Sequence, residues 1–233
     1  MFDQRTASCS LTSFDYVATE PRNAHAFYDA LFGWTSQHFI APLAMKDAPQ
    51  QAHWLPLLET PSAHDSAAKT KILGGTMLRE PFAPDGRGKQ AIALDPAGNP
   101  IALFEPTRAG ADKPWTGSPG QICWAELYTT SPTTAGAFYK QLAGFTETKT
   151  TVAENVTYYL YERDGLPRAG CRRPMPEMPT GWFAWVRVPD VDAIVSHAFR
   201  LGSKITRAPM DMCTGSRMAL LRDPFGAALG VIS

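Results

Sequence analysis

The strongest constraint on this chain is that it repeats itself. Shifting it by 111 residues lays Thr19-Glu20-Pro21 through Leu31-Phe32-Gly33-Trp34 onto Thr130-Ser131-Pro132 through Leu142-Ala143-Gly144-Phe145 without a gap. The shared skeleton is T-x-P-x-x-A-x-A-F-Y-x-x-L-x-G-[WF]. A second match, offset by 128 residues, pairs Leu94-Asp95-Pro96-Ala97-Gly98 with Arg222-Asp223-Pro224-Phe225-Gly226. Repetition of this kind marks duplicated supersecondary units that fold alike. A chain of 233 residues is long enough for two ordinary domains. Between the copies, Pro106–Gly120 reads PTRAGADKPWTGSPG, Pro/Gly-rich and without periodicity, as a linker should be. The expected domains are therefore residues 1–108 and 121–233, joined by a linker at 109–120.

In each copy a β-like run, Phe14–Thr19 or Ile122–Thr129, passes into helical spacing. Ala24, Phe27, Tyr28 and Leu31 fall on one helix face, as do Ala135, Phe138, Tyr139 and Leu142. Pro21 and Pro132 sit where a first helical turn tolerates a missing N–H, and Gly33 and Gly144 where a left-handed cap ends the helix. The second copy adds a strand at Trp182–Val188 and a helix at Asp190–Leu201, with Val191, Ile194, Val195 and Ala198 facing one way and Gly202 as the stop. Its last strands, Arg217–Arg222 and Ala227–Ile232, flank an Asp-Pro-x-Gly turn, so this copy reads β-α-β-β-β twice. In the first copy only 20 residues separate Gly75 from Asp95, against 53 from Gly170 to Asp223. That difference predicts an abbreviated first domain that lacks one strand-helix unit. The class is α+β.

Composition narrows the function. Lys plus Arg total 22 and so do Asp plus Glu, which leaves no electrostatic reason for a nucleic-acid or anionic-membrane partner. No apolar run reaches the roughly 18 residues of a membrane span, and the start shows no signal-peptide pattern, so a cytoplasmic location is expected. Cys9, Cys123, Cys171 and Cys213 are far apart and form no CxxC pair, which fits reduced thiols. No base stands near Cys123 or Cys171 in the sequence pattern to activate a thiolate. No phosphate loop or nucleophile elbow is present.

Ala26-Phe27-Tyr28 with Leu31-Phe32-Gly33-Trp34, Ala137-Phe138-Tyr139 with Leu142-Ala143-Gly144-Phe145, Val188-Pro189-Asp190-Val191-Asp192-Ala193 and the two Asp-Pro-x-Gly turns occur in this order. Together they resemble the vicinal oxygen chelate superfamily of glyoxalases, bleomycin-resistance proteins and extradiol dioxygenases, over nearly the whole chain, in its tandem two-domain form. The resemblance implies paired βαβββ modules that form curved mixed sheets around a cup for a small molecule, often with a divalent metal. Family members carry a metal-binding His on a module's first strand and a Glu on its last. Here the matching positions are Ser13, Trp124 and Phe183 on first strands, and Ala102 and Gly230 on last strands. None is a usual ligand, so neither a metal site nor another cofactor is expected, although the resemblance allows a divalent metal.

Alternation along strands puts Trp124, Glu126 and Tyr128 on one face, and Phe183, Trp185 and Arg187 on another. If the modules pair as in the family, these residues line one cavity, an aromatic box with one carboxylate and one guanidinium. Asp15 is the counterpart of Glu126 under the 111-residue shift and joins the set. The alternative is that Glu126 and Arg187 form a buried pair with a purely structural role. His25 and His197 read as solvated helix residues. His38, His53 and His64 lie in the first copy's insert and could gather into an unusual metal site, although their spacing matches no local ligand motif.

Two functions follow from the resemblance. One is a glyoxalase or bleomycin-resistance-type protein that binds a small molecule in the cup without the usual metal site. The other is a metal-dependent lyase, isomerase or dioxygenase with relocated ligands, or with Glu126 as general base. The shortened first domain is also a candidate interaction surface, and the family's habit of pairing modules makes a homodimer an expected partner.

Overall fold

A computed structural model describes residues 10–18, 20–34, 52–108, 115, 117–153, 156–175, 178–212 and 215–233. Among these residues the chain forms four α-helices and thirteen strands in mixed sheets. No helix among them is long and apolar enough to cross a membrane. In chain order they are β1 (Ser10–Val17), α1 (Pro21–Phe32), β2 (His53–Glu59), α2 (Ala63–Ile72), β3 (Thr76–Asp85), β4 (Gly88–Leu94) and β5 (Pro100–Pro106). Then follow β6 (Ile122–Tyr128), α3 (Pro132–Ala143), β7 (Thr146–Ala153), β8 (Val156–Arg163), β9 (Leu166–Arg172), β10 (Gly181–Arg187), α4 (Val191–Arg200), β11 (Lys204–Asp211), β12 (Arg217–Arg222) and β13 (Ala228–Ile232).

The repeated helices form as their spacing demands. α1 buries Ala24, Phe27, Tyr28 and Leu31, and α3 buries the matching Ala135, Phe138, Tyr139 and Leu142. Proline opens each helix, and Gly33 (φ 69°) and Gly144 (φ 71°) close them in the left-handed region, where a side chain would be strained. α2 and α4 begin differently. The Ser62 side chain accepts the Asp65 N–H, and the Asp190 carboxylate accepts the Ala193 N–H, each satisfying a helix-end donor.

The first copy does not lack a strand-helix unit, because β2 and α2 supply it. The correct repeat register puts Leu73-Gly74 on Leu201-Gly202, so the counterpart of Gly75 is Ser203 and not Gly170. The chain is instead short between α1 and β2, where 20 residues (33–52) stand against 37 (144–180) between α3 and β10. Most of that interval lies outside the described residues. The helix escaped notice because its packed face is Ala63, Ser66, Ala67 and Thr70, small residues that leave little apolar periodicity.

By compactness the described chain divides into two units that each draw on both repeat copies. One comprises Met1–Ser13, Pro56–Pro114 and Ala125–Trp182, the other Phe14–Leu55, Trp115–Trp124 and Phe183–Ser233. In the first, β5 runs parallel to β2 and antiparallel to β4, and β4 is antiparallel to β3. Its other sheet portion has β9 parallel to β6, with β8 and β7 added antiparallel. In the second, β13 lies parallel to β10, followed by β12 and β11 antiparallel. Each module thus brings its last strand back beside its first, which needs the intervening helix as a crossover.

Each unit is pinned by a buried aspartate. In the first, Asp95 Oδ1 accepts the Ala97 and Asn99 N–H groups at 2.8 and 2.9 Å and so shapes its own turn. Its Oδ2 accepts the Tyr139 hydroxyl at 3.1 Å, and that hydroxyl accepts Trp182 Nε1–H at 3.2 Å. In the second, Asp223 Oδ1 accepts the Phe225 and Ala227 N–H groups at 2.9 and 2.8 Å. Its Oδ2 accepts the hydroxyls of Tyr28 at 2.8 Å and Tyr16 at 2.5 Å. One carboxylate therefore both builds a turn and fastens a helix from a distant part of the chain.

Candidate functional site

In the first unit α3 covers one sheet face, shown by the Tyr139 and Tyr161 rings 6.2 Å apart. By alternation the opposite face carries Glu126 and Tyr128 of β6, Arg168, Gly170 and Arg172 of β9, and Tyr158 and Leu160 of β8. The register sets them in rows. Glu126 lies across from Gly170 and then Leu160, and Tyr128 lies across from Arg172 and then Tyr158. Glu126 is buried and its Oε2 accepts the Tyr128 hydroxyl at 2.9 Å. Burial, and then the Glu126 charge, hold the Tyr128 phenol well above its usual pKa, while the nearby Arg172 guanidinium opposes that rise.

Arg168 is fully buried and Arg172 half-buried on this face, and both were missed in the sequence. The signal was the alternation Arg168-x-Gly170-x-Arg172, which no apolar pattern flags. Arg172 Nε is buried and has no hydrogen-bond partner among the described residues. Gln90 of β4, also missed, is fully buried.

In the second unit Phe183, Trp185 and Arg187 share one face of β10. Trp185 lies across from Gly230 and then Leu220, and Arg187 across from Ile232 and then Met218. The Trp185 indole rests on the bare Cα of Gly230, and any Cβ there would overlap the ring. Trp185 Nε1 and Arg187 Nε are buried donors without partners among the described residues. Arg187 stands beside the Cys123 thiol, whose pKa is raised by burial and held back by that guanidinium. Trp124 is half-buried. Asp15 is buried and projects from β1 opposite to Tyr16, the residue that faces α1.

The other sequence candidates scatter. His53 is half-buried at the start of β2, and His64 is exposed in the first turn of α2. His25 and His197 are half-buried on their helices, not fully solvated as expected. His38, Cys9 and Cys213 lie outside the described residues. Burial raises the Cys171 thiol to about 12, which leaves it inert as a nucleophile.

Residues 121–231 match the family model described as Glyoxalase/Bleomycin resistance protein/Dioxygenase superfamily. That stretch is a vicinal oxygen chelate domain. Relatives extend over nearly all of it. CFP32 of Mycobacterium tuberculosis, whose name proposes a glyoxylase, is 27% identical over 94% of this chain and 92% of its own. The anthracycline biosynthesis protein DauV of Streptomyces sp. (strain C5) is 28% identical over 94% and 91%. Among solved structures, the Mn(II)-bound glyoxalase from Novosphingobium aromaticivorans superimposes with a TM-score of 0.60 at 16% identity, covering 97% of this chain and 83% of its own. The 2,3-dioxygenase LapB from Pseudomonas sp. KL28 gives 0.60 at 11% identity, over 97% and 91%. These structures establish the likeness of fold.

The vicinal oxygen chelate ligand positions do not fit a metal ion in this chain. Trp124, Phe183 and Ala102 offer no donor of the kind that holds a divalent ion. At Gly230 there is no side chain, and the space a carboxylate would enter is filled by the Trp185 indole. Among the described residues no cluster of three or more His, Cys, Asp or Glu side chains stands in for them.

Proposed function

We propose that this vicinal oxygen chelate protein binds a flat, oxygen-bearing small molecule through its sheet faces and does so without the family's metal. The observation that carries this reading is the Trp185–Gly230 stack, which turns a metal-ligand position into aromatic surface with an unpartnered indole N–H beside the unpartnered Arg187 Nε–H. Buried donors without acceptors are costly, and a ligand oxygen relieves that cost. Two relatives are named for anthracycline biosynthesis. An anthracycline is a fused planar ring system bearing carbonyl and hydroxyl oxygens, the chemistry that an aromatic wall with N–H donors accepts.

Thermal unfolding with a panel of oxygenated planar aromatics, in the presence of a metal chelator, tests the reading. A ligand at about a hundred times its Kd stabilises the native state by about 2.7 kcal/mol, a readily measured rise in Tm. A Tm that moves only when a divalent metal is added overturns it.

A further inference from the structure

Resting on that reading, we infer that Arg172 is the specificity residue of the first unit's face, selecting planar ligands that carry a carboxylate or other oxyanion. Its guanidinium is half-buried, its Nε lacks a hydrogen-bond partner, and no ion pair ties it to a carboxylate among the described residues. A cation withdrawn from water without a counter-charge is unfavourable, so the position is tuned for an anion that arrives from outside. The guanidinium fork suits a carboxylate, which it grips in two parallel hydrogen bonds.

The neighbours define the rest of the ligand. In the register Arg172 stands between Tyr128 and Tyr158, so a ring joined to the anion meets a phenol on either side. One row along β6 is the Glu126 carboxylate, already accepting from Tyr128. Two residues of strand are about 6.6 Å, so the Glu126 charge disfavours a second anionic group at that distance. The ligand class is therefore a planar aromatic acid whose far end is uncharged.

Titration calorimetry of the full chain with para-hydroxybenzoate and with its neutral isostere para-hydroxybenzamide tests this. The acid should bind at least tenfold more tightly than the amide. Arg172→Gln should abolish the preference by bringing acid binding down to the level of the amide, and Arg172→Lys should keep part of it. The half-exposed position lets both variants fold, which their urea midpoints verify. Equal binding of acid and amide to the unsubstituted protein overturns the role of Arg172 and leaves the binding reading standing. A preference that survives Arg172→Gln and disappears with Arg187→Gln overturns it also, by moving the anion to β10. If neither probe binds and no planar aromatic shifts Tm, the binding reading falls together with this inference.

Discussion

The two aspartate knots are built to one plan and differ in one exchange. Asp95 and Asp223 each fold their own turn through Oδ1 and each accept a helix tyrosine through Oδ2. Asp95 is then braced by the Asn99 amide, four residues away, at 3.0 and 2.9 Å. Asp223 has Ala227 at that position and is braced by Tyr16, 207 residues away. A local brace leaves its unit tied by one long-range phenol, whereas the distant brace ties strand β1 as well as α1. The repeat conserves the need to satisfy a buried carboxylate, and the chain meets it with whatever donor the packing brings near.

The difference makes Asp223 the more expensive residue to remove. Asp223→Ala removes the carboxylate that accepts from two buried phenols and should cost about 3–5 kcal/mol. Asp95→Ala strands one phenol and should cost about 1–2 kcal/mol less. Urea unfolding of both variants measures this, and equal losses would break the comparison.

A smaller effect concerns pH. Five of the seven tyrosines, Tyr16, Tyr28, Tyr128, Tyr139 and Tyr161, have pKa values raised by burial first and by neighbouring acidic groups next. A folded-state pKa above the unfolded value of about 10 gives stability that is complete below pH 10 and lost as pH rises beyond it. Asp223 adds in the same sense at lower pH. Its pKa is raised by burial, so its contribution is complete below the ordinary carboxylate range and declines as pH climbs through the raised value. These five phenols should ionise only as the fold melts above pH 10, which phenolate absorbance followed beside the unfolding signal checks. Ionisation of these five before the fold melts would show that the knots are open to solvent.

Much of the fold was legible because bulky apolar residues repeat at helical spacing. α1, α3 and α4, the glycine stops and both Asp-Pro-x-Gly turns could be read directly. α2 could not, since Ala63, Ser66, Ala67 and Thr70 make a close-packed face without a hydrophobic stripe. Tyr28 and Tyr139 were read as core rings, and the acceptors of their hydroxyls lie 195 and 44 residues away, beyond any local pattern. Of the candidate site, the alternation on β6 and β10 was visible from residue order. Arg168 and Arg172 were not, because a strand with charges on one face and Ala169 and Cys171 on the other looks like a solvated edge.

At Gly230 the Trp185 indole occupies the place of the family's metal-binding carboxylate, and we propose that metal chemistry is lost with it. Equilibrium dialysis of the purified chain against Mn²⁺, with bound metal counted by mass spectrometry, tests it most directly. Uptake well below one ion per chain, unchanged by Trp185→Ala, is the expected result. One tightly held ion per chain would contradict it.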